Sequence, residues 1–401
     1  MVWGKPAGSG VDDLVKRLQA DDPQLKSLTI FRFRRLNDVD VAQLSSALQD
    51  NTVLQELICC SHAISSEAAA RLGAMLQQNR QLQHISIGNS SFGDEALSAL
   101  VSGGLQQNKS LVSWDLEHKG LSQASGASIA QVLQQHSTLQ HVQLSRNSLT
   151  DAGLQRLCAV AWAKLTQLQL AACELTHQGV LSLADAPSIG QLQQLDLSHN
   201  ALGPAAGAGL ADLLAKATRL QHLKLKGTQL QDEGVGGVAD GLLTATAGLA
   251  LLDLSSNQLS SAGVAALAAA LGRRAAGAAA VQQLVLADNP AVDDEAVCRL
   301  AQSLNGLHGT AAAGADGAEQ QQLTLDFAHA GVGAGGVAAL SKVSGLKQLS
   351  LFGCKLGGEQ GGHMLAALVM LQRRRDVAAG HVQGLQRALL RINQSMGRPV
   401  G

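Results

Sequence analysis

Along most of the chain the apolar residues switch between two spacings. Leu195 and Leu197 alternate with Asp196, which is strand spacing and sends the two leucines to one face and the aspartate to the other. After Leu202 the apolar positions fall at Leu210, Leu213 and Leu214, which is helical spacing, with Ala205, Ala206 and Ala208 keeping the first turn small. The pattern recurs. Leu192-Gln-Gln-Leu195-Asp-Leu197-Ser-His-Asn200-Ala-Leu202 aligns with the stretches from Leu249 to Leu259 and from Leu139 to Leu149 on the frame LxxLxLxxNxL, with Val142 in place of the second leucine in the last. The same frame, with substitutions, starts at Leu25, Leu54, Leu82, Leu111, Leu165, Leu220, Val281, Gln320 and Leu346, which makes about twelve units. By subtraction Leu54 to Leu82 is 28 residues, Leu82 to Leu111 is 29 and Leu111 to Leu139 is 28.

One unit of that size cannot bury both its strand and its helix, whereas stacked units can. The expected fold class is therefore α/β, a horseshoe-shaped solenoid with parallel strands on the concave face and helices on the convex face. Asn147, Asn200, Asn257 and Asn289 stand where each strand turns away, and their amides can bond the backbone groups a non-strand loop leaves unpaired. Cys173 and Cys354 fill the same slot, which gives both a structural role. Gly153, Gly234 and Gly263 each follow the loop leucine by four residues, where close packing before the helix favours a missing side chain.

The LxxLxLxx(N/C)xLxxxG frame at 28 to 29 residues resembles the ribonuclease-inhibitor-like subfamily of leucine-rich repeats over roughly Leu25 to Leu371. That subfamily includes ribonuclease inhibitor, the sensor regions of NOD-like receptors and Ran GTPase-activating protein. The resemblance implies a leucine-rich-repeat solenoid and a protein-binding function. Asn200-Ala-Leu-Gly203-Pro204-Ala-Ala-Gly207 is similar to a segment of the Ran GTPase-activating family, with His199 and Ala201 departing from its Asn and Gly. This leaves activation of a Ran-type GTPase as the alternative function.

Residues 1–24 are expected to form an N-terminal cap, 25–371 the leucine-rich repeats, and 372–401 a C-terminal helical cap or tail. The first unit carries Phe31, Phe33 and Leu36 around its strand, an irregularity expected next to a cap. In the tail Val382, Leu385, Leu389, Ile392 and Met396 make one helical stripe, which caps the last repeat or pairs with another helix. The Gly/Ala tracts at Gly272–Ala280 and Gly306–Glu319 lengthen two units and are expected to be flexible loops between helix and strand.

Composition narrows the function. With 30 basic and 31 acidic residues the net charge is −1, so nucleic acid and an anionic membrane surface are not expected partners. No window approaches the roughly 18 uninterrupted apolar residues of a membrane span. The first ten residues do not read as a secretory signal, and six scattered Cys lack metal-ligand spacing. The expected location is the cytoplasm, with a cytoskeletal or ciliary assembly as an alternative setting. Gly331-Val-Gly-Ala-Gly-Gly336 satisfies GxGxxG, yet the repeat frame already accounts for a turn there. His84, His141 and His222 share one outward strand position, too far apart for a common metal. No catalytic residue, metal or cofactor is expected, and the chain is not expected to be an enzyme. The register places Asp115, Glu117, His118, Gln143, Arg146, Asp196, His199, Lys224, Lys226 and Asp253 on the concave strand face. That mosaic of signs suits a protein partner better than a uniform phosphate backbone, and a small GTPase is one possible occupant.

Overall fold

The computed structural model describes residues 10–246, 248–273, 281–311, 323–343 and 345–356. The chain divides into two units, one up to Ala201 and one from Leu202. In the first unit each apolar alternation becomes a short strand: β1 (Ser27–Thr29), β2 (Glu56–Cys59), β3 (His84–Ile87), β4 (Ser113–Asp115), β5 (His141–Gln143), β6 (Gln167–Gln169) and β7 (Gln194–Asp196). They lie in chain order and each pairs in parallel with the next. The register aligns Leu28, Leu57, Ile85, Trp114, Val142, Leu168 and Leu195. All seven side chains are buried, so one aliphatic column, broken by a single tryptophan, runs under the strands. Each such leucine contributes about 1.5–3 kcal/mol by leaving water.

The helices of this unit are α1 (Asp12–Gln19), α2 (Asp38–Gln49), α3 (Ser66–Gln78), α4 (Gly93–Ser102), α5 (Ser125–Gln135), α6 (Thr150–Cys158) and α7 (His177–Ala184). Consecutive helices pack side by side. The second unit repeats the plan with helices α8 (Ala206–Lys216), α9 (Gln231–Thr244), α10 (Ser261–Arg273), α11 (Asp294–Ala311) and α12 (Ala334–Leu340). Its strands are β8 (His222–Lys224), β9 (Leu251–Asp253), β10 (Gln283–Val285), β11 (Leu323–Asp326) and β12 (Leu346–Ser350), with Leu223, Leu252, Leu284, Leu325 and Leu349 in register. On α9, a Cβ at Gly237 would stand 2.2 Å from the carbonyl oxygen of Gly207 on α8, so the glycine pair sets how closely these two helices approach.

Two expectations change. The frame read from Gln320 is displaced by two residues, because Leu325 and not Leu323 pairs with Leu284. Leu323 and Leu325 are both buried and alternate correctly in either frame, and Phe327, fully buried, takes the slot that a leucine holds elsewhere. The Gly/Ala tracts are also partly helical, since α10 runs to Arg273 and α11 to Ala311. The remainder of both tracts, and the stripe Val382 to Met396 with the Arg373–Arg375 run, lie outside the described residues.

Three sets of side chains bond neighbouring repeats within a unit. Asn147 donates to the carbonyls of Leu116 and Leu144 and accepts from the amides of Lys119 and Leu121. Asn200 does the same with Leu170, Leu197, Cys173 and Leu175. Asn257 bonds the Leu225 carbonyl and the Thr228 and Leu230 amides, and Asn289 bonds the amides of Asn257 and Leu259. The thiols of Cys173 and Cys354 donate to the carbonyls of Leu144 and Phe327. Two residues absent from the sequence reading occupy the same slot. Thr228 bonds the Leu225 carbonyl, and Lys119, only 1 % exposed, reaches the Gly88 carbonyl with its Nζ at 2.7 Å. Burial holds the Lys119 ammonium below its ordinary pKa, against the opposing pull of Asp115.

The second set lies at the opposite turn, between helix and strand. Asn51, Asn79 and Asn108 each donate to a carbonyl of the preceding repeat, of Leu18, Leu48 and Leu76, and accept from the amide three residues on. His136 succeeds them in the next repeat, accepting from the Leu139 amide at Nδ1, while its buried Nε2 has no partner. Burial lowers the His136 pKa from its usual 6.5 to about 4. Between these values the unfolded chain binds a proton that the folded chain refuses, so stability falls as pH drops from 6.5 toward 4. The loss expected at pH 4 is about 3 kcal/mol. Urea melts from pH 7 to 4 should show it for the wild type and a shallower slope for His136→Asn, which restores the ladder residue; parallel slopes would refute the assignment.

The third set joins helix starts. Asp94 accepts from Ser122, Asp151 from Thr176 and Asp232 from Ser260 and Gly263, each across one repeat. Asp294 does this for the glycine-rich turn, its carboxylate taking the amides of Gly333 and Gly335 at 2.5 and 3.0 Å. A protein carboxylate thus occupies the place where GxGxxG would hold a phosphate.

Candidate functional site

The outward positions of the strands form rows because the strands are in register. In the first unit Asp115, Gln143, Gln169 and Asp196 are consecutive partners across β4 to β7. Gln169 was not among the residues singled out from the sequence. It completes the row and accepts a hydrogen bond from Gln143 Nε2 at 2.7 Å. The row is half-buried rather than fully solvated, and three of its side chains fold over their own strand ends. Asp115 accepts from the Glu117 amide, Gln143 from the Ser145 amide and Asp196 from the Ser198 amide. One oxygen of each of these three side chains is thus engaged by backbone, which fixes how the group is presented on the strand face.

Beyond the strand ends, His118, Arg146 and His199 are exposed, with Ala172 between the last two. All four have positive φ, at 53°, 63°, 58° and 52°. The left-handed backbone is sparsely populated by such residues, and it is held by loop-to-loop bonds: His118 N to Ser145 O, Arg146 N to Ala171 O and Ala172 N to Ser198 O. It sets the direction in which His118, Arg146 and His199 leave the loop, a feature that needs inter-repeat bonding and has no signature in the residue types. Above this row, His84 and His141 flank Ser113 on successive strands. Burial, then the neighbouring His84, holds the His141 pKa below its ordinary value.

In the second unit Lys224 and Asp253 are cross-strand partners, and Asp253 accepts from the Ser255 amide. Lys224 is exposed, and Lys226 and Asp253 are half-buried. A groove of about 310 Å³ lies on the same face, lined by His222, Leu251, Gln282, Gln283, Thr324 and Lys347. The ten residues picked from the sequence therefore fall into two groups, seven in the first unit and three in the second.

Among the described residues no cluster of His, Cys, Asp and Glu could hold a metal ion, and no helix is long and apolar enough to cross a membrane. Burial pushes the thiols of Cys59, Cys158 and Cys173 up to about 12, which leaves them protonated and unreactive.

A family model described as leucine-rich repeat matches residues 135–158, 192–211 and 250–268. NACHT, LRR and PYD domains-containing protein 5 of Homo sapiens is 32 % identical over 225 residues, covering 55 % of this chain and 19 % of that protein. Ribonuclease inhibitor of Sus scrofa is 29 % identical over 241 residues, covering 58 % of this chain and 51 % of the inhibitor. The Mus musculus inhibitor is 29 % identical over 265 residues, covering 65 % and 58 %. The chain thus spans between 19 % and 58 % of the length of these relatives. Among solved structures, one from the crystal structure of the Rad7 and Elc1 complex in yeast superposes on 81 % of this chain and 74 % of its own, with a TM-score of 0.51 at 17 % identity. That likeness is one of fold.

Proposed function

From the premise that this chain is a leucine-rich-repeat protein of the ribonuclease-inhibitor-like kind, we propose that it acts as a scaffold or regulator that binds another protein on its strand face, without catalysis of its own. The observation that carries this reading is the first unit's row of Asp115, Gln143, Gln169 and Asp196 edged by the exposed His118, Arg146 and His199. Two carboxylates flank two amides across the sheet, edged by one guanidinium and two imidazoles. Such a surface selects a partner through charge complementarity and fixes its register, and it has no continuous positive track for a nucleic acid. Lys224, Lys226 and Asp253 offer a second patch in their own unit. The cysteines are all unpaired, which supports a reducing compartment such as the cytoplasm, whether the partner is free or part of a cytoskeletal or ciliary assembly.

The test is affinity capture with the intact chain, followed by identification of bound proteins by mass spectrometry. A partner that binds the strand face should be lost at least tenfold from the double variant Arg146→Glu with Asp196→Arg and retained by Arg156→Glu on α6. Retention by the first variant and loss from the second would reject the strand face as the docking surface.

The alternative, activation of a Ran-type GTPase, draws on residues 200–207. Asn200 is 1 % exposed and its amide is engaged by four backbone groups, so it has no capacity left for a partner. A rise in single-turnover GTP hydrolysis by orders of magnitude on adding this protein would nonetheless favour the activator.

A further inference from the structure

The first repeat carries an exposed apolar patch that the strand-face reading does not use. After β1 the amide of Arg34 donates to the carbonyl of Phe31 at 2.9 Å, which closes a turn with Arg32 and Phe33 at its tip. The rings of Phe31 and Phe33 stack, with centroids 5.5 Å apart and planes within 11°, and Phe33 is 46 % exposed. Val39, in the first turn of α2, is 67 % exposed. The turn and the helix start border the same loop, because the Arg34 carbonyl meets Nε2 of His62 at 2.9 Å and Asp38 accepts from the Ser65 hydroxyl at 2.8 Å. Aromatic side chains left in water beside aliphatic ones are of the anchoring kind found at interface centres.

The charges around it sort into committed and open ones. Arg34 is buried and paired with Asp13, Arg35 is paired with Asp40, and the half-buried Glu56 accepts from the Ser27 hydroxyl. Arg32 and Asp38 are both exposed, and neither has an ion partner among the described residues. One open cation and one open carboxylate thus flank the apolar surface without pairing within the chain. An acidic or a basic segment laid across it would meet one like charge. A second copy of this chain, related by a two-fold axis, brings a carboxylate to each guanidinium, because such a contact places the same patch on both sides. The net charge of −1 gives the two copies no general repulsion.

We propose that this patch is the contact of a symmetric homodimer, in which Phe33 and Val39 of both copies pack together and Arg32 of one copy pairs with Asp38 of the other. A turn and a helix start make a smaller surface than the roughly 800 Å² per partner of a standard interface, so the dimer is weak and depends on concentration. The contact uses no residue of the row on β4 to β7, which keeps it separable from the strand-face partner.

Sedimentation equilibrium of the intact chain over a concentration series tests it. The wild type should follow a monomer–dimer equilibrium. Phe33→Ser, Arg32→Glu and Asp38→Arg should each weaken the dimer at least tenfold with unaltered melting curves, whereas Arg146→Glu should leave it unchanged. The double variant Arg32→Glu with Asp38→Arg should regain the dimer, and the two single charge variants should pair with each other when mixed. Should Asp38→Arg melt early, Arg32→Glu and Phe33→Ser decide alone. A wild type that stays monomeric would give the patch to another protein or to residues 1–9. That result, a dimer indifferent to Phe33→Ser or Arg32→Glu, or a folded double variant that stays monomeric would overturn the proposal.

Discussion

Leu197→Asp is expected to unfold the repeats around it in the first unit, whereas Asp196→Ala, one residue away, should cost only about 1 kcal/mol. Leu197 is 0 % exposed. Losing its side chain alone forfeits about 2–5 kcal/mol, and a carboxylate in its place has no cation within the leucine column, so the combined cost exceeds 5 kcal/mol, a large share of the 5–15 kcal/mol by which a domain is stable. Because each repeat leans on its neighbours, failure at one coil spreads to those adjacent. The sequence alone suggests no cost at all for Asp196→Ala. The bond from the Ser198 amide to its carboxylate at 2.9 Å supplies the difference. Urea unfolding followed by circular dichroism separates the two variants, and coincident curves would overturn the assignment of inward and outward faces.

Asn147→Ala should cost about 4 kcal/mol, more than a typical hydrogen-bonding mutation. Its amide satisfies two carbonyls and two amides at once, within a site that is 4 % exposed. Alanine leaves all four groups buried and unpaired, each at about 1–3 kcal/mol before the loop relaxes or water enters. Hydrogen exchange gives the specific readout, since the amides of Lys119 and Leu121 should lose protection while those of α6 keep it. Unchanged protection at both amides would show that the ladder does not hold this loop.

How far the chain could be read in advance depended on the range of the interaction. The frame around Leu139, Leu192 and Leu249 was legible because burial alternates over a few residues. The ladder at Asn147, Asn200, Asn257 and Asn289 was visible as a recurring residue type. Its continuation through Lys119 and Thr228 was not, because neither is an amide and their role appears only as bonds to Gly88 and Leu225. Asn51, Asn79 and Asn108, spaced 28 and 29 residues by subtraction and each three residues before a leucine, carry an equally legible recurrence of residue type. The Asp94, Asp151, Asp232 and Asp294 bonds join residues 25 to 41 apart and mimic ordinary surface acids in the sequence.

By itself the sequence determined the strand-plus-helix repeat, its period and which leucines face inward, since these follow from the spacing of apolar residues within one coil. Only the tertiary structure decided that Leu325 and not Leu323 lies in register with Leu284, that Gln169 joins the outward row, and that His118, Arg146 and His199 leave their loops through left-handed backbone. Those features depend on pairing between coils, where a register shift of two residues preserves the hydrophobic alternation and so leaves no mark in the pattern.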